Sequence, residues 1–297
     1  MKRITMTLLG VLFLFTGNEM FAHPGSGIFV DRQGTIYFVD TGAGIWKLER
    51  SGTLTKLTAP AYHWMAFDVY NKRANTSSSR FALGNGTIIR DSGEPRIFVS
   101  SDFPITIGSN GDFYYPAIGS TGQLQINRLD TSGHNTVVKN LPEHTESGPL
   151  RWLNGIVVSA DGSIYYSEDK AIRRITPEGE LATLFLHPTT PRCDSVPGVE
   201  SEQGPYLRGI DVDKQGNVYA AVTGCGSVVK ITPQKEAKTI LRTQSPWSPT
   251  AVAVSGDTVY VLEYLHTASH NRQEWLPRIR KVSSDGQVVT LTSVERR

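Results

Sequence analysis

Cysteine is scarce: the 297-residue chain has two, Cys193 and Cys225. A disulfide-dense scaffold and a thiolate-rich zinc centre are thereby excluded. Neither sign of charge prevails, since 30 Lys and Arg against 28 Asp and Glu leave a net +2. Such a balance gives no electrostatic reason to expect nucleic acid or an anionic membrane as partner. Past the N-terminus no apolar run approaches the roughly 20 residues that a bilayer requires. No window carries a 3.6-residue apolar period over three turns, so helix has little claim on the chain. A Gly-x-Ser-x-Gly elbow is missing, as is any Pro-, Gly- or Ser-rich stretch that would separate two domains.

The one long apolar run lies at the start. Lys2 and Arg3 precede Leu8 to Phe15, and Ala22 offers a cleavage point. This order of charge, apolar core and small residue predicts a signal peptide over 1–22, followed by one domain over 23–297 and a secreted or periplasmic location. In an exported chain Cys193 and Cys225 are expected to form a disulfide; in a cytosolic one they would be two buried thiols.

What the sequence has in quantity is a repeat. Gly27-Ile28-Phe29-Val30-Asp31, Gly155-Ile156-Val157-Val158 and Gly209-Ile210-Asp211-Val212-Asp213 are copies of one phrase. Each is followed by a turn with Gly34, Gly162 or Gly216, then by aromatic-rich runs around Tyr37, Tyr165 and Tyr219. Third come Ile45-Trp46-Lys47-Leu48, Ile172-Arg173-Arg174-Ile175 and Val228-Val229-Lys230-Ile231. Runs of β-branched and aromatic residues broken by glycine turns spell short strands, four to a unit. The turn glycines Gly34, Gly111, Gly162, Gly216 and Gly256 are evenly spaced except for a double gap after Gly34. That gap is expected to hold a degenerate unit built from Ala66 to Asn71, Arg80 to Leu83 and Thr87 to Arg90. Six four-stranded antiparallel units predict an all-β, six-bladed β-propeller.

The stretch Asn154-Gly155-Ile156-Val157-Val158-Ser159-Ala160-Asp161-Gly162-Ser163-Ile164-Tyr165-Tyr166-Ser167 resembles a blade of the gluconolactonase and senescence-marker-protein propellers, and the shorter copies resemble NHL repeats. That resemblance implies a calcium or zinc ion at the channel mouth, held by a glutamate, two asparagines and an aspartate. The residues just before each inner strand are Ser26, Met65, Phe103, Asn154, Arg208 and Thr250. Of these only Asn154 matches the implied ligand set, and Arg208 stands where the aspartate would be.

In an antiparallel meander the connectors between blades share one face with the loops between second and third strands, and function is expected there. Long segments on that face run over 187–207, with Arg192, Asp194, Glu200 and Glu202, and over 265–277, with His266, His270, Glu274 and Trp275. Cys225 falls on the same face as the connector carrying Cys193. Arg208 and Asn154 are expected to hold a small polar or anionic ligand, with His63, Trp64, Phe103, Arg151, Trp152 and His266 around them. The alternative for Arg208 is a structural pairing with Glu200 or Glu202. Asp40, Glu168, Asp169 and Glu263 end second strands and are expected to be solvated, with general acid, base or metal-ligand roles as the alternative.

Two functions follow. One is an exported, monomeric propeller that binds a small molecule or a protein or peptide at the channel mouth, with no cofactor. The other is a metal-dependent lactone or ester hydrolase, in which an ion polarises the carbonyl.

Overall fold

A computed structural model describes residues 25–41, 44–58, 63–68, 87–90, 96–100, 103–146, 148–150, 152–168, 170–186, 207–265 and 274–295. The first blade is β1 (Ile28–Val30), β2 (Ile36–Asp40), β3 (Gly44–Leu48) and β4 (Leu54–Thr58). The second has β5 (Trp64–Asp68), β6 (Thr87–Arg90) and β7 (Arg96–Ser100). In the third lie β8 (Thr106–Ile107), β9 (Phe113–Ile118), β10 (Leu124–Leu129) and β11 (Asn135–Asn140). A hairpin of β12 (His144–Thr145) and β13 (Gly148–Pro149) precedes the fourth blade. That blade comprises β14 (Gly155–Val158), β15 (Ile164–Ser167), β16 (Ala171–Ile175) and β17 (Leu181–Leu186). The fifth is β18 (Leu207–Val212), β19 (Val218–Val222), β20 (Ser227–Ile231) and β21 (Ala237–Arg242). The sixth is β22 (Trp247–Ser255), β23 (Thr258–Leu265), β24 (Pro277–Val282) and β25 (Val288–Ser293).

Among the described residues five sheets are four-stranded antiparallel meanders in sequence order, so the all-β propeller read from the repeat is the fold. The expected sixth four-stranded unit differs. Its sheet has three strands in the order β5-β7-β6, with Ile97-Phe98-Val99 paired to β5 where a middle run over 80–83 was expected. Ile97 and Val99 pack toward the first blade while Phe98 packs toward the third, and burial on both faces decides which run takes the central place. Residues 80–83 lie outside the described residues.

Local chemistry sets each turn. Asp31 Oδ1 accepts from the amides of Gln33 and Thr35 at 2.8 Å each, and Gly34 takes φ +82°, a conformation that side chains with a Cβ resist. Asp213 repeats the device with Gln215 and Asn217. Apolar clusters then fill the seams: Tyr114, Ile126 and Leu141 against Ile156 and Tyr166, then Tyr165 and Ile172 against Ile210 and Val229. Burying each such side chain contributes about 1.5–3 kcal/mol.

The ring closes without strand exchange, because the sixth blade is made wholly of β22 to β25. Closure comes from packing of Leu262, Tyr264 and Ile279 on Phe38 and Ile45. Tyr264 Oη donates to the Val39 carbonyl at 2.5 Å and accepts from the Thr41 amide at 3.2 Å. No helix among the described residues is long and apolar enough to cross a membrane.

Candidate functional site at the channel mouth

Strands β1, β5, β8, β14, β18 and β22 line a central cavity of about 290 Å³. Most side chains on its wall are apolar, backbone groups together with Ser26 and Thr106 make the exposed surface mixed in polarity, and Asp211 is the ionisable residue on it. The Asp211 carboxylate spans two blades, accepting from the Val254 amide at 2.7 Å and from its own neighbour Val212 at 2.8 Å. Burial pushes its pKa up to about 6, against the two amides, which favour the charged form. The repeat held a signal for it, since Asp211 stands in a slot filled by Phe29 and Val157 in other copies.

At the mouth, side chains stitch several neighbouring blades together. Asn154 Nδ2 donates to Leu207 O at 2.8 Å, and Ser167 Oγ to Arg208 O at 2.6 Å. Thr223 Oγ1 reaches Pro249 O at 2.8 Å, and Thr250 Oγ1 reaches Gly25 O at 2.8 Å. Trp64 Nε1 donates to the Asn154 carbonyl at 3.0 Å, linking the second blade to the fourth. Its indole meets His63 edge-on, with ring centroids 5.4 Å apart. Arg208 is 6% exposed and Asn154 5%, so both are built into the mouth rather than displayed on its rim. Burial and the Asp40 carboxylate raise the Tyr264 pKa while Arg208 lowers it, which puts the Arg208 charge within electrostatic reach of the closing seam.

The strand-end carboxylates contradict the expectation that they are solvated. Asp40 is 4% exposed, Glu168 3% and Glu263 0%. Each is engaged by the third strand of its own blade. Trp46 Nε1 donates to Asp40 at 3.0 Å, Arg173 Nε to Glu168 at 2.9 Å and Arg278 Nε to Glu263 at 2.5 Å. Arg278 also lies over the Trp247 ring, 3.9 Å from its centroid. A short repeat therefore alternates carboxylate and donor across β2/β3, β15/β16 and β23/β24, a pattern legible once the register is known.

Of the residues expected at the site, the structure brings His63, Trp64, Asn154 and Arg208 to the mouth, with Trp152 two residues before Asn154. Phe103 does not line the channel: it packs on Tyr115 with centroids 5.8 Å apart, filling the second seam. Met65, also in the aligned ring, is buried in the cluster of the first blade and, like its neighbour Trp64, borders the cavity. Arg151, Asp169, Cys193, Glu200, Glu202, His266 and His270 lie outside the described residues, as does the expected signal peptide. Cys225 is half-buried beside Gly224 in a 3-10 turn and is not a free thiol.

The divalent ion implied by the resemblance does not fit this donor set. A hard cation takes several oxygen ligands, preferably anionic. The described mouth offers a guanidinium, one asparagine oxygen, and the carboxylates of Asp40, Glu168 and Glu263, each with at least one oxygen engaged by its own blade's third strand. Among the described residues no group of three or more His, Cys, Asp or Glu is arranged to hold a metal.

Fold and mouth together define a β-propeller whose inner strands carry buried polar and charged side chains at one end of the channel. No protein-family model and no curated sequence matches the chain. Similar solved structures exist. A luciferin-regenerating enzyme is 18% identical, with 91% of this chain and 92% of that one covered at a TM-score of 0.54. A streptogramin B lyase is 16% identical, covering 92% and 83% at 0.51. A virginiamycin B lyase from Staphylococcus aureus is 15% identical, covering 92% and 85% at 0.51. At such identities the likeness carries the fold, while chemistry belongs to each site.

Proposed function

We propose that this is an exported propeller that binds a small anionic or polar molecule at the channel mouth, with Arg208 supplying the charge. The observation that carries the reading is a buried arginine at the start of an inner strand, beside the strand that Asn154 opens. A guanidinium presents five donors in a planar fork that suits carboxylate or phosphate. Asn154 fixes the neighbouring strand through Leu207, and Trp64 bounds the opening. Hydrolase chemistry of the lactonase kind is the weaker reading, because Asp40, Glu168 and Glu263 are buried and each is engaged by a donor on the third strand of its own blade. A protein or peptide would be a partner for the rim, whereas Arg208 lies too deep to contact a flat surface. Export, a monomeric state and a Cys193–Cys225 disulfide complete the proposal; Cys225 having no free thiol supports the last.

Thermal melts test the reading. Acetate, malate, citrate or inorganic phosphate is expected to raise the melting temperature, and Arg208→Gln to remove the effect. A rise of several degrees with calcium that disappears in Asn154→Ala would overturn it. Acid release from sugar or homoserine lactones would transfer support to the hydrolase.

A further inference from the structure

The carboxylate of Asp211 is not something a blade requires. Other copies of the repeat put Phe29 or Val157 in its place. Its Oδ2 accepts from the Val254 amide at 2.7 Å and its Oδ1 from the Val212 amide at 2.8 Å, so both oxygens are fixed by backbone. A carboxylate has about four lone-pair sites, and two amides leave about half of that accepting capacity open. The group borders the central cavity of about 290 Å³, whose described wall has no other ionisable side chain.

The rest of the wall has two parts. Each inner strand is an edge of its sheet, so alternate backbone carbonyls turn toward the channel instead of a partner strand. Between them lie hydrocarbon side chains such as Val30, Val157 and Val254. Phe29 and Phe67, stacked with ring centroids 4.1 Å apart, border the same cavity and add aromatic surface, which attracts a cation and not an anion. The volume sits near the lower end of small-molecule sites, about 300 Å³, which limits a guest to a small one.

We infer that the central channel is a binding site for a small organic ammonium ion, its nitrogen bound by the Asp211 carboxylate and its hydrocarbon body held against the apolar wall. This site is separate from the mouth and does not depend on the anion proposed there. An ammonium head carries several donors, one for the carboxylate and the others for edge carbonyls. Burial pushes the Asp211 pKa up to about 6 against its two amides, with a lesser push from Asp213. At neutral pH the group is therefore ionised with its charge compensated only in part, and a bound cation supplies the remainder. A hard divalent ion is the poorer match, since it takes several oxygen ligands, preferably anionic, and the described wall holds one carboxylate. An uncharged guest of the same size would cover that carboxylate and leave it without a counter-charge.

Calorimetric titration at pH 7.5 of butylammonium, its uncharged isostere 1-butanol and calcium into the wild-type protein and Asp211→Asn tests the assignment. Butylammonium is expected to bind the wild type at least about tenfold more tightly than 1-butanol. Asp211→Asn, which keeps an oxygen for the Val254 amide, is expected to melt cooperatively and to lose that preference. In the wild type alone, butylammonium is expected to shift the backbone amide resonances of Val212 and Val254 in a two-dimensional NMR spectrum. Equal affinity for the two guests, a preference that survives in Asp211→Asn, or unmoved Val212 and Val254 resonances overturns the inference. Calcium binding that is tighter than that of butylammonium and lost in Asp211→Asn overturns it in favour of a metal site.

Discussion

Asp211 shows what one residue does when it leaves the pattern of its repeat. A carboxylate placed in an apolar slot loses hydration, and two backbone amides restore part of it. The sign of the pH effect follows. Its pKa is raised from 3.8 to about 6 in the folded protein, so its favourable contribution is complete below about 4 and is lost as pH rises through about 6. Asp211→Asn keeps an oxygen for the Val254 amide and removes the titration. The variant is expected to exceed the wild type in stability by about 1–2 kcal/mol at pH 7.5 and to lose that advantage near pH 4. Urea unfolding at both pH values measures it, and a difference independent of pH would refute the assignment. Arg208 was legible in the same way, as a cation in a position of the repeat held by uncharged residues elsewhere.

At the scale of the element, the glycine that opens three of the inner strands, Gly27, Gly155 and Gly209, has a reason that the repeat alone does not give. A Cβ on Gly209 would meet Ala251 Cα at 2.7 Å and Thr250 O at 3.0 Å; one on Gly155 would meet Arg208 O at 2.9 Å. Inner strands converge at the mouth, and only a residue without a side chain lets neighbouring backbones approach so closely. Gly209→Ala is expected to destabilise the protein by about 2–3 kcal/mol, because the obstructing atoms are backbone and cannot rotate away. Denaturant unfolding that differs from the wild type by under about 0.5 kcal/mol would contradict this. Strand pattern identified β1, β2, β14, β15, β18 and β19 directly. It did not identify the pairing of β7 with β5, since Ile97-Phe98-Val99 has no turn glycine before it and the choice of partner depends on two facing blades.

For the whole molecule, the decisive contact is the seam between the last blade and the first. Tyr264, the Val39 carbonyl and the Thr41 amide join residues more than 200 positions apart in sequence, and no local signal announces such a pairing. The proposed Cys193–Cys225 bond acts on the same scale, tying a long connector to the fifth blade. It is expected to contribute about 3–4 kcal/mol. Intact mass before and after reduction should differ by two hydrogens, and equal masses would remove both the bond and part of the argument for export.

The sequence by itself determined the repeat, the turns, the all-β propeller class and the identity of the residue at each inner-strand start. These depend on local chemistry: Asp-to-amide turns, left-handed glycines and β-branched alternation. Tertiary structure alone decided which of the expected site residues face the channel. Phe103 packs on Tyr115 in a seam while Trp64 borders the cavity, because burial on a strand is set by the blade opposite. It also turned Asp40, Glu168 and Glu263 from expected surface acids into buried ion-pair and hydrogen-bond partners. Their donors lie on the next strand, and only the register brings Trp46, Arg173 and Arg278 within reach.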